Sequence, residues 1–113
     1  MNWGRVFFVF FSVMALTLGV EFLYEGNIVI LFLCASVNFL CATFRIGIKS
    51  SLSAEILATF MVAIVHLAAA FIILQVFGLK HLGYGIVIGA VVANVYAIIL
   101  LTIESIKDGR EEI

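Results

Sequence analysis

A chain of 113 residues that is 65% hydrophobic and 12% charged, with a mean hydropathy of +1.32, has too little polar surface to cover a water-soluble globule. Soluble domains run at about 45–50% apolar and about 25% charged residues. The formal net charge of −1 offers no basic field for nucleic acid. The six Lys and Arg residues are too scattered for a polybasic lipid-binding cluster. These features describe an integral membrane protein whose first partner is the lipid bilayer.

Four apolar runs follow one another: about residues 3–23, 28–44, 53–77 and 84–103. Each is near the roughly 20 residues that a helix needs to cross a bilayer. Backbone groups in lipid must be bonded internally, so the runs are helices. The predicted fold is all-α: one transmembrane domain over residues 1–113, a four-helix bundle with a tail at 104–113. The first run lacks a good small-x-small cleavage site and reads as a retained span. Gly26-Asn27 is the expected turn after it. Ser51 or Ser53 is the expected N-cap of the third helix, ahead of Glu55. The tail is expected to extend the fourth helix, with Glu104 and Lys107 as a solvated pair.

With four spans the N-terminus, the second loop and the tail share one side. That side carries Arg5, Arg45, Lys49, Lys107 and Arg110, and the other carries only Lys80. The bias places both termini in the cytoplasm under the positive-inside rule.

Polar groups inside a span are costly and by default face the bundle or a cavity. Reckoned at about 1.5 Å per residue, His66 lies roughly 20 Å from its cytoplasmic end, and Asn94 and Cys34 lie roughly 15 Å from theirs. Asn38 sits about one turn nearer the cytoplasm. His66, Asn94, Asn38 and Cys34 are therefore expected to form an intramembrane polar cluster, with His66 bonded to Asn94 or Asn38. A second reading makes His66 and Glu55, on one stripe of the third helix, a proton or cation path. Glu55, Arg45 and Lys49 are expected to pair at the cytoplasmic boundary, where the helix N-terminus favours an acid.

Gly85, Gly89, Ala93 and Ala97 recur at four-residue spacing on the fourth span. Such a small-residue ridge permits close helix approach, either within the bundle or against another chain. Cys34 and Cys41 are seven residues apart, about 10.5 Å along a helix, too far to bridge. No CxxC or HxxxH ligand pattern appears, so neither metal nor cofactor is expected. No nucleophile–base pair or phosphate loop points to an enzyme.

Size and span count resemble the small multidrug-resistance transporters, but those carry a glutamate inside the first span, and here Val6 to Val20 is uncharged. "MNWGRVFFVFFSVMALTLG" and "SAEILATFMVAIVHL" resemble an uncharacterised family of small four-span bacterial inner-membrane proteins. That resemblance implies a loose association with genes for Trk-type potassium uptake. It leads to the expectation of an accessory or interaction subunit beside a larger cation-transport complex. The alternative is a stand-alone homo-oligomeric ion or proton-coupled transporter or channel using His66.

Overall fold

In the first helix, Phe8, Ser12, Ala15, Gly19 and Phe22 are buried, at alternating steps of four and three residues. That period of 3.5 keeps one stripe turned to a common axis if neighbouring helices wind gently to the left. The same stepping recurs in all four helices. It runs through Leu31, Cys34, Asn38, Cys41 and Arg45 in the second. It runs through Ile56, Phe60, Ala63, Leu67 and Ala70 in the third. In the fourth it runs through Gly83, Val87, Ala90, Asn94, Ala97, Leu101 and Glu104.

The computed structural model describes residues 3–48 and 50–107. Its helices are α1 (Trp3–Glu25), α2 (Ile28–Ile46), α3 (Ser53–Ile72) and α4 (Lys80–Lys107). Each span is long and apolar enough to cross a bilayer, counting α3 with the turn that extends it to Phe77. By helix length and hydropathy the chain is a multi-pass membrane protein. The bundle is elongated, 48 × 21 × 19 Å. Consecutive helices pack side by side and α1 closes against α4, so α1 faces α3, and α2 faces α4, across the two diagonals.

Contacts between helices set the register. Ser12 Oγ and Cys41 Sγ are 4.0 Å apart, and the Cys34 thiol donates to Ala15 O at 3.4 Å. The Phe8 and Phe60 rings meet edge-on at 5.8 Å. A Cβ placed on Gly19 would lie 2.8 Å from Val91 Cγ2 and 3.7 Å from Cys34 Sγ. Together these ties stack the buried positions in layers of four. From the end holding Phe8 they are Phe8/Arg45/Ile56/Leu101, Ser12/Cys41/Phe60/Ala97, Ala15/Asn38/Ala63/Asn94, Gly19/Cys34/Leu67/Ala90 and Phe22/Leu31/Ala70/Val87.

The connections differ in kind. Asn27 caps α2 by accepting from Val29 N–H at 2.9 Å, and Gly26 takes the left-handed conformation, φ 71°, that a tight reversal needs. At the far end of α3 the backbone widens into a π-helical turn, Ile73–Phe77, closed by Gly78 at φ 67°. Gly78 N–H and Leu79 N–H both donate to Ile73 O. That closure lets α4 start at Lys80, a turn before the fourth apolar run begins. α3 is not capped by a serine: its N-cap is Leu52, and Ser53 Oγ donates instead to Ile48 O at 2.6 Å.

Candidate functional site

Three groups of polar residues in the bundle stand apart from one another. The first is a charged node at the end that holds Phe8. Arg45, from the last turn of α2, and Glu104, from α4, are only 3% and 4% exposed. Arg45 Nη1 donates to Glu104 Oε1 at 3.2 Å and Oε2 at 3.1 Å, reaching across the α2–α4 diagonal. It also donates to Ser50 Oγ at 3.1 Å. The Ser50 hydroxyl and the Leu52 N–H (3.3 Å) both donate to Glu104 Oε2. The guanidinium carbon lies 4.5 Å from the centroid of the Phe8 ring, a cation–π contact. The carboxylate therefore satisfies a side chain of α2 and two groups of the α2–α3 connection at once. A buried ion pair tolerates its desolvation only with such supporting hydrogen bonds.

This arrangement corrects two expectations. Arg45 does not pair with Glu55, which is exposed on α3. Glu104 does not form a solvated pair with Lys107, which is exposed while Glu104 is buried. The physical reason is the seam: Glu104 continues the 3.5-residue stepping from Ala97 and Leu101, whereas Glu55 lies off the line through Ile56 and Phe60. Lys49, the third member of the expected boundary group, lies outside the described residues.

The second place is the middle layer. Asn38 Nδ2 donates to Cys34 O at 2.9 Å and approaches Cys34 Sγ at 3.6 Å. Asn94 Nδ2 donates to Ala90 O at 3.2 Å. Asn38, Asn94 and Cys34 all face the bundle axis and are buried. Each asparagine thus bonds only one turn back along its own helix.

His66 occupies the third place, apart from these. It is half-buried, its Nδ1 lies 2.9 Å from Val62 O, and its ring covers Gly89 of α4. A Cβ on Gly89 would come within 2.8 Å of His66 Cδ2. The imidazole therefore lies along the α3–α4 seam, one layer from Asn94, and does not bond Asn94, Asn38 or Cys34. The expected four-residue cluster is divided: Asn38, Asn94 and Cys34 inside, His66 on the flank. The expected ridge on α4 divides in the same way. Ala93 and Ala97 are buried in the bundle, Gly89 lies under the imidazole, and Gly85 is open.

Sequence reasoning missed Glu104, Ser50 and Phe8 as partners of Arg45. The stepping on α4 carried the signal for Glu104. Nothing local marks Ser50, because it reaches the node through the path of a connection. Among the described residues, no group of three or more His, Cys, Asp or Glu is placed to hold a metal ion.

Residues 25–105 match the model of a family of unknown function, DUF6394. No curated protein matches the chain. No solved structure matches it either. The matched segment takes in α2, α3 and nearly all of α4, with Arg45, Glu104 and both asparagines but not Phe8 or Ala15. The chain belongs to this family.

Proposed function

We propose that this DUF6394 member is an accessory or interaction subunit of a larger membrane complex, seated in the bacterial inner membrane with both termini in the cytoplasm. The observation that carries the reading is the position of His66. It is an ionisable group far from both ends of its span, and it lies on the flank of the bundle beside open Gly85 and exposed Val65. A polar group at that depth is costly against lipid and gains from a protein neighbour that bonds it. Behind it the bundle axis is filled: Leu31, Leu67, Ala70 and Val87 are fully buried between the asparagines and the far end. Supporting the orientation, the side shared by both termini holds five of the six basic residues. The resemblance to four-span proteins near potassium-uptake genes makes a cation-transport complex the preferred partner. The reading assigns the chain no reaction of its own, since its sequence pairs no nucleophile with a base.

Photocrosslinkers placed at Val65 and at Gly85 in cells test it, together with flux through the purified protein in liposomes. The expected result is a crosslink to a larger membrane protein and no flux. Flux by the pure protein that is lost in a folded His66→Ala variant would overturn the reading in favour of a stand-alone homo-oligomeric transporter. Crosslinks to further copies of this chain alone would overturn it too.

A further inference from the structure

The buried apolar residues form two clusters. One gathers Phe8, Cys41, Ile56, Phe60 and Leu101; the other gathers Phe22, Leu31, Cys34, Leu67 and Val87. At their junction lies the layer of Ala15, Asn38, Ala63 and Asn94, of which Ala15 belongs to the first cluster. Asparagines stand on one diagonal and alanines on the other. Asn38 is 0% and Asn94 1% exposed, yet Asn38 Oδ1 and Asn94 Oδ1 have no hydrogen-bond donor among the described residues. Two unpaired amide carbonyls at the centre of a membrane bundle are expensive, because lipid offers no donor to relieve them. The two do not pair with each other, since each Nδ2 is directed back to its own helix. The alanines opposite contribute one methyl group each, so the layer is both polar and lined by small side chains, the setting in which buried water is retained.

We propose that the middle layer is an internal hydration site, holding a water molecule that donates one O–H to Asn38 Oδ1 and the other to Asn94 Oδ1. The stoichiometry matches, two donors for two orphaned acceptors. Asn94 Nδ2 keeps a second N–H that the water oxygen can accept, whereas both N–H groups of Asn38 are engaged by Cys34 O and Cys34 Sγ. A cation fits less well. Hard divalent cations take about six or more oxygen ligands, and a net charge at mid-bilayer is costly. The water would join two dry half-cores through hydrogen bonds that span the α2–α4 diagonal.

The test is a crystal structure of the full chain grown in lipid, with thallium replacing the monovalent cations of the buffer. The expected result is a density peak within hydrogen-bond reach of both Oδ1 atoms, without anomalous signal. An anomalous peak there would overturn the proposal in favour of a cation site, and a direct bond between the two amides would overturn it equally. A second readout uses the chain in lipid nanodiscs, comparing infrared spectra in ordinary and oxygen-18 water. One isotope-shifted O–H band of an internal water is expected, lost in Asn38→Leu and in Asn94→Leu and kept in the surface variant Thr43→Val. A band that persists in both asparagine variants would overturn the assignment.

Discussion

The two ends of the bundle are held together by different chemistry. At the end with both termini, Arg45, Glu104, Ser50 and the Leu52 N–H form a buried charged node. At the opposite end the helices meet through glycines. A Cβ on Gly83 would lie 2.6 Å from Leu74 Cγ and Cδ2, and one on Gly26 would collide with the Tyr84 hydroxyl. The Phe22 and Tyr84 rings pack at 5.1 Å beside these contacts. The difference follows from the length of the connections. Gly26–Asn27 and Gly78–Leu79 are two-residue links whose backbone groups are closed by turn geometry. The link from Ile46 to Ser53 is longer and brings backbone donors to the bundle end, and Glu104 supplies an acceptor for one of them.

The comparison can be broken most severely at the charged node. Glu104→Ala leaves Arg45 buried without its counter-charge and is expected to cost about 3–5 kcal/mol. Replacing both residues by hydrophobes of similar size is expected to restore most of that loss. Unfolding titrations in mixed micelles, run on the single and double variants, measure both effects. A Glu104→Ala protein as stable as the parent would show that the node does not hold this end.

At the glycine end, Gly83→Ala forces Leu74 aside and is expected to cost about 1–3 kcal/mol by overpacking. The same titration reads it. Proteolysis near Gly78 should rise as the α3–α4 turn loosens, with no change at the α2–α3 link. A smaller effect is expected between the ends. Asn94→Leu removes an amide whose only bond among the described residues is to its own helix, and hydrogen bonds inside membrane bundles average about 0.6 kcal/mol. A loss as large as that of Glu104→Ala would place the holding interaction in the middle layer rather than at the ends. Glu55→Ala should change nothing measurable in the same assay, because Glu55 is exposed and is not part of the node. A clear loss would return Glu55 to the boundary pairing expected from sequence.

Much of the fold was legible because hydrophobic length and helical spacing are local properties. The turn at Gly26-Asn27 and the third span's end at Phe77 could be read directly. Depth was legible to within a turn: rise per residue put His66, Asn94 and Cys34 at one level with Asn38 a turn nearer the cytoplasm, and the structure instead sets Asn38 beside Asn94 with Cys34 one layer away. Facing was harder to read. His66 is at the right depth to meet Asn94, but it turns to the seam because the stepping on α3 runs through Ala63, Leu67 and Ala70. The partner of Arg45 was misread because Glu55 shares its depth at the boundary, whereas helix rotation turns Glu55 outward and Glu104 inward.

By itself the sequence determined that this chain is a four-span membrane protein, about where its spans lie and which polar residues fall within them. Those conclusions need only the cost of unbonded backbone in lipid and the periodicity of a helix. Only the tertiary structure decided which polar groups meet. It closed Arg45 on Glu104 across a diagonal, set two asparagines in one layer with unanswered carbonyls, and turned His66 to the flank. Hydrogen bonds reach about 3 Å, and whether two side chains come that close depends on the rotation and register of separate helices, which no single helix specifies.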